Sequence, residues 1–211
     1  MTIFSPDATR FFEQLAADNT KVFWTAHKAT YDEKVRAPMV ALTDALTKAY
    51  GTFSIFRPNR DIRFAKDKSP YKTNIAASAE TEGGASVYVG FSTEGLYAGT
   101  GYYFFAKDQL ERFRAAVAAD GTGAALEKLV AGARRKGYEV HGESLKVAPR
   151  GYARDHARVA LLRHTGLYVG KYLEAGTLAS VKAALKAGAP IASWLDQHVG
   201  PTTILPEDWR R

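Results

Sequence analysis

Three short runs of alternating residues, separated by glycine-containing turns, occupy residues 74–98 of the chain. A period of two places every second side chain on the same face of a strand, and short turns join antiparallel neighbours. The pattern therefore predicts a three-stranded antiparallel meander with one face against the core. The apolar residues that carry the alternation are Ile75, Ala77, Ala79, Val87, Val89, Phe91, Leu96 and Ala98.

Apolar residues at helical spacing lie on both sides of the meander. Ser5 followed by Pro6 predicts a helix that begins there and extends to about Asp18. A second helical stretch runs to Gly51, with an interruption around Pro38. After the meander, the pattern predicts a strand at 167–169 and helices at 107–119, 123–135, 157–163, 177–187 and 191–195.

The order of elements, with helices before and after the meander, predicts an α+β fold. The chain contains no internal repeat and no linker, so we expect a single domain over residues 1–211, in which the meander packs against several helices. Two glycine pairs do not follow a strand as a dinucleotide-binding turn does. We interpret Gly99 and Gly101 as a strand end, and Gly121 and Gly123 as a helix end.

The composition excludes several classes of protein. The 211 residues contain no cysteine, which excludes disulfide scaffolds, thiolate zinc sites and cysteine nucleophiles. No apolar run approaches the roughly 20 residues of a membrane-spanning helix, and the N-terminus lacks the pattern of a signal peptide. We therefore expect a cytoplasmic protein without a membrane partner. His156 and His164 are wrongly spaced for a compact helical metal pair, so we predict no metal and no cofactor.

The net charge of +7 comes mainly from two short segments. The first basic segment (residues 57–73) and the second basic segment (residues 134–154) each contain six lysines or arginines and two acidic residues. Soluble surfaces usually mix both signs of charge, so these segments predict a local positive potential that attracts an anion. Two basic loops on opposite sides of the molecule are the alternative.

The first basic segment carries the most specific chemistry. Guanidinium groups bind carboxylate and phosphate oxygens in a bidentate geometry, and ammonium groups bind them as point charges. We expect Asp61 and Asp67 to orient these cations, and Ser69-Pro70 to stiffen the turn. An internal ion-pair network is the alternative. The candidate ligand-binding residues of this segment are Arg60, Arg63, Lys66, Lys68, Tyr71 and Lys72.

Arg150 and Tyr152 of the second basic segment are expected to complete a pocket with the first. If the protein catalyses a reaction, His156 and Asp61 are the candidates for moving a proton, although the signal for either is weak. Asp155 precedes His156 directly, but adjacent side chains point in different directions and do not form a catalytic pair for that reason alone.

Three parts of the chain together resemble a widespread family of microbial conserved hypothetical proteins, a domain of unknown function. They are R-D-I-R-F-A-K-D-K-S-P-Y-K-T at 60–73, L-K-V-A-P-R-G-Y at 145–152, and the residues Phe11, Phe12, Asn19, Trp24, Lys28 and Tyr31. The resemblance extends from Phe4 to about Leu195 and implies a single-domain cytosolic α+β protein without an established activity. Thr25 departs from it where an aromatic residue is expected, and so does Thr165-Gly166 in place of a Lys-Ser pair.

Three functions are compatible with these observations. The first is the binding of a small anionic ligand, phosphorylated or carboxylated, in a basic pocket built on residues 60–73 and 146–156. The second is nucleic-acid binding by the same surface, which agrees with a pI near 9.5 but lacks any groove-reading motif. The third is a structural protein whose ion pairs only stabilise the fold.

Overall fold

The computed structural model describes residues 1–63 and 66–204, and within them it confirms the α+β fold class. Phe64 of the basic motif lies outside the described residues. The helices are α1 (Pro6–Ala17), α2 (Lys21–Thr30), α3 (Ala37–Tyr50), α4 (Lys107–Ala118), α5 (Asp120–Arg135), α6 (Val159–Leu162) and α7 (Leu178–His198). The strands are β1 (Ser54–Ile55), β2 (Asn74–Glu80), β3 (Ser86–Ser92), β4 (Gly95–Tyr102), β5 (Glu139–His141) and β6 (Leu167–Tyr172).

One continuous helical run contains α2 and α3. Between them, Tyr31–Arg36 is wound as a π-helix, and Pro38 lies in the first turn of α3. Proline has no backbone N–H and cannot donate to the carbonyl four residues before it, so a wider turn just before Pro38 accommodates it. The interruption predicted around Pro38 is therefore a change of winding, and the run ends at Gly51 as predicted.

Within the described residues, six strands form one sheet in the order β1-β2-β3-β4-β6-β5. β2, β3 and β4 follow one another through the two glycine-containing turns, which confirms the meander. β1 is antiparallel to β2, and β5 is antiparallel to β6. β5 has only three residues, too few to show an alternation, and the sequence pattern did not predict it.

β4 is longer than predicted. It continues through Gly99 and Gly101 to Tyr102, so the interpretation of these glycines as a strand end is wrong. A Cβ atom at Gly101 would lie only 2.4 Å from the carbonyl oxygen of Leu167. Glycine at this position therefore allows the backbone of β6 to approach β4 closely.

Two helical predictions also need correction. Gly121 and Gly123 lie in the first turn of α5 rather than at a helix end. The two helices predicted at the C-terminal end are the single helix α7, with Pro190 inside it. Leu185 and Trp194 on either side of Pro190 are both buried, and this packing holds the helix together despite the lost backbone hydrogen bond.

The chain divides into two compact units, which are described separately. Unit 1 consists of residues 1–63, 66–79, 88–98 and 172–183, and unit 2 of residues 80–87, 99–171 and 184–204. The expectation of a single domain stays a prediction. None of the helices in the described ranges is long and apolar enough to cross a membrane. The largest fully buried side chains of unit 1 are Phe11, Phe12, Leu15, Met39 and Leu46, and those of unit 2 are Phe105, Phe113, Leu126, Leu162, Leu167, Leu185 and Leu195.

In unit 2, Arg158 fixes the connection between α4 and α5. This residue is only 8% exposed; its Nε donates to the Val117 carbonyl at 2.7 Å, and its Nη2 donates to the Ala118 carbonyl at 2.8 Å and to the Asp120 carboxylate at 2.9 Å. Carbonyls at the end of a helix have no partner within that helix. Gly123 leaves room for this arrangement, because a Cβ atom there would lie 2.1 Å from the Val117 oxygen and 2.4 Å from Nε of Arg158.

We predict that Gly123→Ala lowers the free energy of unfolding by about 2 kcal/mol or more, since a buried carbonyl or Arg158 has to move. Gly121→Ala is the matched control, because a Cβ atom at Gly121 meets nothing within 4 Å. Alanine there is expected to stabilise the helix by up to about 1 kcal/mol. Urea unfolding at pH 7 measures both variants; changes of the same sign and size would contradict the role given to Gly123.

Candidate functional site

The first basic segment leaves β1 and returns to β2 as a narrow loop within unit 1. Its base is closed by two backbone hydrogen bonds, from Arg60 N to the Pro70 carbonyl and from Lys72 N to the Pro58 carbonyl, each 2.8 Å long. The described residues of the segment are irregular apart from an isolated bridge between Asn59 and Tyr71.

The base of this loop is held against the helices of unit 1 by Asn19 and Trp24. Nδ2 of Asn19 donates to the Tyr71 carbonyl at 2.9 Å, while the Tyr71 N–H donates to Oδ1 of Asn19 at 3.0 Å. The Tyr71 ring stacks on Trp24 with 4.3 Å between centroids and 9° between planes. Tyr71 is only 7% exposed, so its ring holds the loop in place and does not offer a free face to a ligand.

Trp24 belongs to a cluster of aromatic rings in unit 1. Tyr31 lies 4.7 Å from Trp24, and Phe11 lies 6.1 Å from it and 5.6 Å from Tyr31, between ring centroids. Burial raises the pKa of Tyr31 to about 12. Tyr31 is the first residue of the π-helical turn, so the change of winding before Pro38 sets the position of a ring in this cluster.

Two aspartates contact the two arginines of the motif. Asp61 accepts two hydrogen bonds from the Arg63 guanidinium, at 3.0 Å from Nε and 2.7 Å from Nη2, and this contact lowers the pKa of Asp61. Asp67 accepts from the backbone and the hydroxyl of Ser69, at 2.9 and 2.6 Å, and forms an ion pair with Arg60; these contacts lower its pKa. Asp61 is therefore a weak base at neutral pH, which does not favour it as a proton carrier.

The remaining cations of the segment have other surroundings. Lys68 donates from Nζ to the Ile62 carbonyl at 2.9 Å, and Nζ of Lys72 lies 5.7 Å from the centroid of the Phe56 ring. Arg57 and Lys66 are exposed. Within residues 1–63 and 66–204, none of these four side chains forms an ion pair with a carboxylate, although Arg57 is close enough to lower the pKa of Asp61.

A row of aromatic side chains, which we call the aromatic row, begins beside Lys72. The centroid distances are 6.4 Å from Phe56 to Tyr88, 6.0 Å from Tyr88 to Tyr97, and 5.2 Å from Tyr97 to Tyr172. These residues are not among the ligand-binding residues predicted from the sequence. The signal was present in β3 and β4, where the tyrosines occupy the strand positions that alternate with the buried ones.

The candidate site residues Arg150, Tyr152 and His156 belong to unit 2. Arg150 is exposed, and Tyr152 is half-buried against the core of this unit. Nδ1 of His156 accepts the backbone N–H of Arg158 at 3.0 Å, which leaves Nε2 as the nitrogen able to donate a proton. Six of the predicted ligand-binding residues thus lie on one loop of unit 1, and a pocket shared with the second basic segment stays a prediction.

Two further features of the described residues bear on where a site can lie. No three histidine or acidic side chains among them come close enough to hold a metal ion. An open cleft of about 480 Å³ lies at the start of α1 and contains none of the predicted site residues. Its lining is Thr2, Phe4, Ser5, Pro6, Thr9, Arg10, Glu13 and Phe91.

Residues 7–193 match a family described as a conserved hypothetical protein (DUF2461). The chain belongs to this family. The resemblance inferred from the sequence is thereby confirmed, and the match includes both basic segments of this DUF2461 member. No curated protein and no solved structure matches the chain. The family description states no activity, so the function of this DUF2461 member has to be argued from its own side chains.

The buried hydroxyl of Tyr31 predicts a pH effect. Its pKa is about 12 in the folded protein and about 10 in the unfolded chain, so its contribution to stability is complete below pH 10 and is lost as the pH rises towards 12. We expect the wild type to lose about 1.4 kcal/mol more than Tyr31→Phe between pH 9 and pH 11. Denaturant titrations at both pH values measure this; parallel losses would show that Tyr31 is not buried as described.

Proposed function

We propose that this DUF2461 member binds a small anionic ligand, phosphorylated or carboxylated, through the first basic segment. The observation that carries the proposal is the group of four cations that form no ion pair within the described part of the chain: Arg57, Lys66, Lys68 and Lys72. They lie on a loop whose base is fixed by backbone hydrogen bonds and by the contacts of Tyr71. Less conformational entropy is therefore lost when an anion is bound.

The arginines of the motif add to this proposal in different ways. The Arg63 side chain is 76% exposed, and a surface pair such as Arg63–Asp61 contributes only about 0–1 kcal/mol. A phosphate or carboxylate group can therefore replace Asp61 in the same bidentate geometry. Arg60 is more enclosed, and in this proposal it orders the loop through Asp67. Arg150 and Tyr152 are proposed to contribute from the second basic segment, and no chemical step is assigned.

Nucleic-acid binding by the same surface is the alternative function, because a phosphate backbone attracts the same cations. Four unpaired cations lie together on one short loop, and this grouping favours a small ligand, since nucleic-acid grooves usually track the backbone with charges spread over a longer surface. A purely structural role accounts for Arg60 and Arg63, whose aspartate partners are present, but it does not account for the excess of six cations over two acidic residues in residues 57–73.

We predict that the double variant Lys68→Gln/Lys72→Gln weakens binding of inorganic pyrophosphate or citrate about tenfold or more, since each charge-assisted contact is worth about 1.5–3 kcal/mol. Lys48→Gln/Lys182→Gln is the matched control, because both of these lysines are exposed in unit 1 and the same charge is removed. Titration calorimetry at 50 and 300 mM NaCl measures the dissociation constants, and thermal unfolding establishes that each variant is folded.

The outcomes separate the three functions. Loss of binding in the first double variant but not in the control supports the proposed site. Equal weakening in both variants means that net charge alone attracts the anions, and this contradicts a defined site. Binding restricted to oligonucleotides, with a steep dependence on salt, supports the nucleic-acid alternative. Absence of any binding, together with a lower melting temperature of the first double variant, supports the structural role.

A further inference from the structure

The aromatic row next to Lys72 identifies the kind of ligand more closely, and this inference rests on the proposed function. Its four rings lie within unit 1 on the sheet face opposite the buried side chains of β3 and β4. The residues at its two ends, Phe56 and Tyr172, are 42% and 43% exposed. Tyr88 and Tyr97 between them are half-buried. Exposed aromatic rings next to a positive charge are a common feature of surfaces that bind planar anionic groups.

Two of the rings in the aromatic row lie next to small residues of the sheet. Phe56 N donates to the Ala76 carbonyl at 2.9 Å, so Ala76 is the neighbour of Phe56 on the adjacent strand. A Cβ atom at Gly90 would lie 3.0 Å from the Tyr88 ring, which shows that this ring lies over Gly90. A side chain at position 90 would push the Tyr88 ring outwards, whereas glycine lets it lie low against the strand.

The charges at the two ends of the row have opposite signs. At one end, the Lys72 ammonium group lies over the Phe56 ring, 5.7 Å from its centroid. At the other end, a hydrogen bond with the Glu94 carboxylate raises the pKa of Tyr172. An anionic group is therefore attracted to the Lys72 end and repelled from the Glu94 end.

We infer that the ligand carries a planar aromatic ring next to a single anionic group, as a nucleoside monophosphate does. The phosphate binds Lys72 and the neighbouring cations of the first basic segment, and the ring stacks on the aromatic row, starting at Phe56. A single-stranded nucleic acid fits less well, because a second phosphate further along the row meets the Glu94 carboxylate. Cation–ring contacts of an exposed lysine are weak, so Lys72 can leave the Phe56 ring for a phosphate.

The test compares three probes that separate the ring from the charge: adenosine 5′-monophosphate, ribose 5-phosphate and adenosine. We expect the wild type to bind the monophosphate about tenfold or more tightly than ribose 5-phosphate, as expected for one stacked base. Phe56→Leu is expected to bring the ratio of the two affinities, monophosphate over ribose 5-phosphate, close to one and to leave the affinity for ribose 5-phosphate unchanged. Phe104→Leu, in which an exposed phenylalanine of unit 2 is replaced, is the matched control and is expected to keep the ratio.

A second variant tests the charge independently. Lys72→Gln is expected to lower the affinities for adenosine 5′-monophosphate and ribose 5-phosphate by the same factor and to leave the affinity for adenosine unchanged. Gly90→Val is expected to displace the Tyr88 ring without removing any ring and to lower the affinity for the monophosphate about twofold or more. Far-ultraviolet circular dichroism and thermal unfolding establish that each variant is folded before its affinities are compared.

The outcomes distinguish this inference from the proposed function. If ribose 5-phosphate binds as tightly as the monophosphate, or if Phe56→Leu keeps the ratio, the inference fails while anion binding stands. If adenosine 5′-monophosphate, ribose 5-phosphate and pyrophosphate all fail to bind, the proposed function itself fails. Tighter binding of a single-stranded oligonucleotide than of the monophosphate, with a steep salt dependence, overturns the inference in favour of the nucleic-acid alternative.

Discussion

Every second side chain of a strand points to the same face of the sheet, and much of unit 1 depends on this constraint. In β2, β3 and β4 one set of positions carries the small and apolar residues of the core, which include Val89 and Phe91. The alternate positions are then free to carry Tyr88 and Tyr97 on the opposite face. The same alternation thus produces a core that stabilises the unit and an aromatic surface, for which we propose ligand binding.

The first basic segment is held against the helices of unit 1 by contacts at its base. Asn19 forms two hydrogen bonds with the backbone of Tyr71, and Trp24 stacks on the Tyr71 ring. A loop with a net charge of +4 repels itself, so contacts that do not involve its charges are needed at its base in addition to the two arginine–aspartate pairs. Apolar stacking and amide hydrogen bonds meet this requirement, and they leave the lysines available for an external anion.

The charged residues of the segment divide into two groups with different physical roles. Arg60 and Arg63 are paired with aspartates, and these contacts order the loop without neutralising it. Lys68 and Lys72 contact a carbonyl oxygen and an aromatic ring, which are partners that an anionic ligand can readily replace. Membership of DUF2461 supplies no activity, so this division is the physical basis on which a function can be assigned and tested.

The sequence by itself determined the α+β class, the meander and the charge of the two basic segments, because alternation, glycine turns and net charge are properties of neighbouring residues. It did not predict the length of β4 or the single helix α7, where packing overrides glycine and proline signals. Only the tertiary structure decided that Tyr71 is buried against Trp24 and that Phe56 shares a row with Tyr172. Such contacts join residues far apart in the chain, 52 positions for Asn19 and Tyr71, and the path of the backbone alone brings them together.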